Sequence, residues 1–212
     1  MPDEHDYRPE FFDPLSTEAL TRIICREFEE QEPIGLTYEV PLFEGSGLYA
    51  IYYHGDSEEL YKPLADLAIP VYVGQARSHN SATGRTARSL RPLHSRIKQH
   101  RVSIDGGGLY LDEFSVRLLC MPDVHIDMGE NGLRVGYQPV WNSILTGFGS
   151  HEQGSATRSS ARTKWDTVHP GRSRTYGDEK HDLAALVTEA QYAIQRQVAE
   201  YDYLPWHRAT LG

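Results

Sequence analysis

Five residues stand at spacings that could carry chemistry. Tyr49 closes the run Gly47-Leu48-Tyr49, and Tyr72 lies inside Val71-Tyr72-Val73-Gly74. Arg96 and His100 are four apart, which on a helix places them on one face, one turn from each other. Glu130 precedes Pro139-Val140-Trp141-Asn142 by nine residues. Phenol and imidazole groups pass protons, a guanidinium is a permanent planar cation, and a carboxylate is a hard oxygen donor. Each feature alone has a plainer account. Tyrosines in short strands are mostly half-buried sheet residues, an Arg-x-x-x-His helix is usually a solvated face, and most glutamates are surface carboxylates.

The charge distribution adds a second signal. The chain of 212 residues carries 21 Lys and Arg against 30 Asp and Glu, a net of −9, which argues against a protein that coats nucleic acid indiscriminately. The charge is unevenly placed. Residues 1–70 carry a net of −12, whereas 77–104 hold Arg77, Arg85, Arg88, Arg91, Arg96, Lys98 and Arg101 with no acid. A second basic stretch, 154–176, holds Arg158, Arg162, Lys164, Arg172 and Arg174 against Asp166 alone. Two compact basic segments in an acidic body, both rich in small polar residues, suit a groove for a polyanion.

The elements that must position these residues follow from periodicity. Leu20, Ile23, Ile24 and Phe28 mark a helix from Ser16 to Gln31, and Leu93 and Ile97 mark one through about Arg101. Gly47 to Tyr53, Ile69 to Gly74 and Phe114 to Met121 read as strands. Leu183, Leu186, Val187, Ala190, Ile194 and Val198 give a helix over 182–203. Residues 126–137 form the weakest element, because Gly129, Gly132 and Gly136 each cost a helix about 1 kcal/mol relative to Ala. A loop-rich stretch covers 143–177. The order describes an α+β protein with a small antiparallel sheet of about three strands flanked by helices.

Gly47-Leu48-Tyr49 with Val71-Tyr72-Val73-Gly74 resembles the paired motif of the GIY-YIG nuclease superfamily, and Arg96-x-x-x-His100, Glu130 and Pro139-x-Trp141-Asn142 follow in that family's order. The likeness is greatest to its type II restriction endonucleases, from about residue 35 to 175, including Gly147-Phe148-Gly149 and Trp165-Asp166 through His169-Pro170-Gly171-Arg172. One departure stands out: the helix bearing the glutamate is usually rich in Ala and Leu, whereas glycines surround Glu130 here.

The resemblance implies hydrolysis of phosphodiester bonds in both strands of a specific, palindromic double-stranded DNA site. It implies that Glu130 ligates one divalent ion, Mg²⁺ with Mn²⁺ as a substitute, and that Arg96 stabilises charge on the phosphate. Tyr49 is then the general base or the group orienting the water, His100 accepts a tyrosine hydrogen bond and relays the proton, and Tyr72 completes the pair that positions the water. Gly74 and Asn142 support the site structurally. The basic side chains of both segments, Arg77, Arg85, Arg88, Arg91, Lys98, Arg101, Arg158, Arg162, Lys164 and Arg172, are expected on DNA. A homodimer and a paired DNA methyltransferase are expected partners. Two rivals stay open at this stage: a GIY-YIG nuclease of repair or mobile DNA, and a catalytically silent DNA-binding module of the same fold.

The expected organisation is an N-terminal arm and helix over 1–40 and a nuclease core over 41–176. A C-terminal helix over 177–212 would pack on the core or on a dimer partner. Only Cys25 and Cys120 occur, and no apolar run approaches the roughly 18 residues of a membrane span, so a reducing cytoplasm is the expected location.

Overall fold

Seven consecutive residues, Gly47–Tyr53, are buried without the alternation of a half-exposed strand, and the sheet is built around them. The computed structural model describes residues 12–13, 16–36, 40–79, 89–150, 161–177 and 180–207. Among these residues four strands, β1 (Ile34–Gly35), β2 (Gly47–Tyr53), β3 (Tyr72–Ala76) and β4 (Phe114–Cys120), lie in the order β1-β4-β2-β3. Every neighbouring pair is antiparallel, and the register sets Tyr49 opposite Gly74 on β3 and Leu118 on β4. The sheet therefore has one strand more than the sequence pattern suggests. The extra strand, β1, is two residues long, too short to show any alternation.

Among the described residues six α-helices accompany the sheet: α1 (Thr17–Glu29), α2 (Pro92–Gly106), α3 (Asp123–Tyr137), α4 (Val140–Ser143), α5 (Lys164–Val168) and α6 (Leu183–Glu200). Because strand side chains alternate, Leu48 and Tyr49 point to opposite faces. Leu48 lies against Gly129 of α3, and Tyr49 reaches His100 of α2, so the two motif helices cover the two sides of β2. The Tyr49 side is an aromatic core in which Trp141, Phe148, Trp165, Tyr61 and Phe114 are almost fully buried.

The glycines of α3 explain themselves by close packing. A β-carbon at Gly129 would stand 2.8 Å from Ile24 and still closer to Leu48, and one at Gly132 would stand 3.0 Å from the Cys25 sulfur. At Gly136 it would stand 2.5 Å from the Trp206 ring. The three glycines thus let α1 and the Trp206 segment approach one side of α3. The propensity that Ala would add is given up for that approach, and the helix is continuous through all three.

Two other expectations change in detail. Phe28 is buried as expected, but Ile23 is 64% exposed and Cys25 joins Phe28 on the buried side of α1 instead. The stretch expected as loop contains α5, whose first turn is capped by Thr163 accepting from the Asp166 amide at 3.1 Å. Helix α6 buries Leu186, Ala190 and Ile194 within this chain. No helix among the described residues is long and apolar enough to cross a membrane.

Candidate active site

The first motif tyrosine is placed by the central strand and the second by the strand beside it. Gly74 lies directly under the Tyr49 ring: a β-carbon there would stand 2.5 Å from Tyr49 Cζ and closer still to its hydroxyl. Gly47 is required by backbone rather than by the ring, since a β-carbon would come within 2.9 Å of the Leu119 carbonyl carbon. Edge strand β3 is secured from outside. Asn142 Oδ1 accepts from the Val73 amide at 2.8 Å and its Nδ2 donates to the Val73 carbonyl at 2.9 Å. The Trp141 amide donates to the Val71 carbonyl at 2.9 Å, so the Pro139-Asn142 segment closes an edge that would otherwise offer open hydrogen bonds.

Tyr49, Tyr72, Arg96 and His100 meet on one side of the sheet. The Tyr49 hydroxyl lies 2.6 Å from His100 Nε2, and the Tyr72 ring packs beside the pair, its centroid 6.1 Å from that of Tyr49 and 5.3 Å from that of His100. Arg96 Nη2 donates to the Gly149 carbonyl at 2.7 Å. Phe148, from the same turn, stacks on His100 with ring centroids 4.7 Å apart and meets Tyr72 edge-on at 5.0 Å. Gly149 packs under Tyr72, where a β-carbon would stand 3.1 Å from its Cζ.

Tyr49 is completely buried, whereas Tyr72 keeps some exposure. Burial drives the Tyr49 hydroxyl well above the ordinary tyrosine value, and the neighbouring Tyr72 adds to this while Arg96 opposes it. Burial also raises Tyr72, against the pull of Arg96 and of the Tyr49 hydroxyl. A Tyr49 phenolate is therefore disfavoured in the DNA-free protein, contrary to what a simple base requires.

Glu130 approaches from α3, close enough that its charge raises Tyr72 further. Its Oε2 accepts from Gln75 Nε2 at 2.6 Å, and the same nitrogen donates to Asp127 at 3.2 Å. Arg77 Nε donates to Gln75 Oε1 at 2.9 Å, which fixes the amide so that its nitrogen faces the two carboxylates. Arg77 also pairs with Asp127 and holds that carboxyl below the usual range. Burial pushes Glu130 up, against Arg134 and Gln75, so its proton is held more firmly than on a surface glutamate. Among the described residues no cluster of three or more His, Cys, Asp or Glu side chains could enclose a metal. A single carboxylate fits Mg²⁺, which keeps several waters and takes its other ligands from phosphate, and does not suit Zn²⁺.

The expected DNA contacts divide. Arg85, Arg88 and Arg158 lie outside the described residues. Lys98 is exposed on α2, and Arg91, Arg101, Arg162 and Lys164 are partly exposed. Arg77 is turned into the acidic group described above. Arg172 corrects the sequence expectation: its side chain is 5% exposed and bonded to Asp166 at 2.5 Å, so its charge is neutralised inside the fold rather than offered to a phosphate. Gln75 and the Phe148-Gly149 turn were missed as site residues. The alternation of β3 does place Gln75 on the α3 side, but nothing local says that its amide meets Glu130.

Two motif tyrosines on adjacent antiparallel strands, with an Arg/His helix on one side and a glutamate helix on the other, define a GIY-YIG nuclease. A family model described as the Eco29kI GIY-YIG domain matches residues 41–201, and the chain belongs to that family of restriction endonucleases. Membership makes it a site-specific DNA nuclease, of a superfamily that generally uses divalent metals. No curated protein matches the chain.

Proposed function

We propose that the protein is a type II restriction endonuclease that cuts both strands of a palindromic site, using one divalent ion held by Glu130. The observation that carries this reading is the hydrogen-bonded pair of Tyr49 and His100 with the Tyr72 ring packed beside both, on the side covered by the helix of Arg96, while Glu130 stands on the helix across β3, bonded to Gln75.

When bound, the ion supplies charge neutralisation at the scissile phosphate. The chain's own residues handle the water. Tyr72 is the solvent-facing end of the group and takes a proton from the attacking water while its own proton passes to Tyr49. Tyr49 in turn passes a proton to His100 Nε2. Each phenol gives one proton and receives one, so neither becomes the phenolate that burial disfavours, and the imidazole ends protonated. Tyr49 is thus the middle link rather than the base itself. Arg96, its guanidinium plane set by the Gly149 carbonyl, presents a planar cation to charge growing on the phosphate oxygens.

Lys98, Arg101, Arg91, Arg162 and Lys164, with the basic residues of 80–88 and 151–160, contact the duplex, mostly at phosphates. One site per chain and two strands to cut imply a homodimer on a two-fold symmetric site. Helix α6 buries Leu186, Ala190 and Ile194 in its own core, and the outer side of α1, with exposed Ile23, is the element proposed for pairing. Residues 1–40 form the appended N-terminal part, 41–176 the nuclease core and 177–212 the C-terminal part. A DNA methyltransferase of matching specificity would protect the host.

Sequencing of fragment ends after digestion of plasmid DNA in Mg²⁺ tests this. Cuts at one repeated palindrome in both strands, with two chains per duplex in sedimentation, support the reading. Cuts in one strand, or a monomer cutting branched or asymmetric DNA, would replace it with a repair or mobile-DNA nuclease.

A further inference from the structure

The segment Trp165-Asp166 through Arg172 plays no part in the chemistry above, yet it holds the most deeply buried ion pair among the described residues. Asp166 and Arg172 expose 2% and 5% of their side chains, with Arg172 Nε 2.5 Å from Asp166 Oδ1. Buried pairs of this kind are weak evidence for stability, because desolvation offsets much of their attraction. Their geometry shows what else they do.

Arg172 Nη1 donates to the Phe148 carbonyl at 3.0 Å and Nη2 to the Gly147 carbonyl at 3.2 Å. Nη1 also reaches Ser103 Oγ at 3.4 Å, on the helix that carries Arg96 and His100. The guanidinium carbon lies over Trp165, 4.3 Å from the ring centroid. Asp166 is fixed in turn by Thr163 Oγ1 at 2.6 Å and by the Tyr176 hydroxyl. Arg174 extends the grip, donating to the Ser150 carbonyl at 2.6 Å. Gly147 turns with φ +104°, where a side chain would be strained and would strike Thr163. The turn 147–150 is therefore held on one side by this cluster. Its other side orients the reacting groups: the Gly149 carbonyl holds Arg96, and Phe148 stacks on His100 and meets Tyr72.

We infer that Arg172 and Asp166 are positioning residues for cleavage, acting on Arg96 and His100 through the turn at 147–150. The inference rests on the roles proposed for Arg96 and His100. Arg172 suits the task because its planar fork engages a carboxylate and two carbonyls at once; a lysine keeps the charge and loses the fork.

The test compares Arg172→Lys, Tyr176→Phe and Arg96→Ala in the full chain, each assayed at a temperature where circular dichroism shows it folded. Tyr176→Phe removes one donor to Asp166 and is the milder variant should Arg172→Lys not fold. Arg172→Lys is expected to lower kcat at saturating DNA at least tenfold, and Tyr176→Phe about threefold. Metal-free DNA affinity should stay within twofold, and the His100 ring proton resonances should shift as Phe148 slips. A wild-type kcat in folded Arg172→Lys, with Arg96→Ala inactive, refutes the positioning role alone. Lost DNA affinity at unchanged kcat refutes it too, and returns Arg172 to the phosphate contacts. Normal cleavage by Arg96→Ala overturns the reading of the site and this inference with it.

Discussion

Gly74→Ala is the smallest change that reaches the chemistry. Gly74 has an ordinary strand backbone, so an alanine adds no φ strain, and the whole effect comes from one methyl group. Its carbon would stand 2.5 Å from Tyr49 Cζ, about 1 Å short of an ordinary contact, so the ring or the strand must move by about that much. Tyr49 is fully buried, and overpacking a buried ring in this way costs about 1–3 kcal/mol. The displacement is as large as the margin between the 2.6 Å Tyr49–His100 contact and a broken hydrogen bond. A misplacement of about 1 Å in a reacting constellation costs about a hundredfold in rate. Single-turnover cleavage, with enzyme in excess of a short cognate duplex, should therefore slow by about two orders of magnitude. DNA affinity without metal should hardly change, and urea unfolding should report the stability loss. Cleavage by Gly74→Ala within threefold of wild type would show that the Tyr49 hydroxyl does not work where it lies.

Further outcomes follow from other contacts. Tyr72→Phe and Tyr49→Phe should each lower kcat by about 10²–10³, because either one cuts the proton path; a loss confined to Tyr49 would restore it as the base. Gln75→Leu removes the amide between Asp127 and Glu130, and should raise the Mg²⁺ concentration for half-maximal cleavage about tenfold or more. Gly132→Ala should lower stability by about 1 kcal/mol net in urea, because crowding against Thr21 and Cys25 outweighs the gain in helix propensity; a more stable variant would contradict the packing account. Buried His169, bonded to Tyr61 at 2.6 Å, is lowered to about 4 chiefly by desolvation. Its folded value lies below the unfolded one, so its contribution is complete above about pH 6.5 and is lost as pH falls towards 4, some ~3 kcal/mol in all. Unfolding of wild type and His169→Gln across that range should show the acid loss flattened in the variant.

The core of the fold was legible because it rests on local patterns. The run from Gly47 to Tyr53, the alternation from Phe114 and the helical spacing after Leu183 each appear as elements within a few residues of their expected ends. Helix α3 was harder to read, since three glycines argue against it and the reason for them lies far off in both directions, in α1 and at Trp206. Strand β1 is defined only by its pairing with β4. The five motif residues were legible from type and order, and four of them meet on one side of the sheet with Glu130 nearby. The surroundings were not. Arg172 and Lys98 look alike in a basic segment, and only the tertiary fold buries one with Asp166 and leaves the other in solvent. Gln75 and Phe148 carry no signature of their own, because their parts depend on what α3 and α2 bring to them.

The central claim is that this protein cuts DNA with Glu130 as its metal ligand. Plasmid cleavage in Mg²⁺, with gel retardation of the same DNA in metal-free buffer, tests it most directly when wild type and Glu130→Ala are run side by side. Discrete fragments from the wild type, and none from a variant that still retards the DNA, are the expected result. Equal cleavage by both proteins, or retardation without cleavage by the wild type, would contradict it.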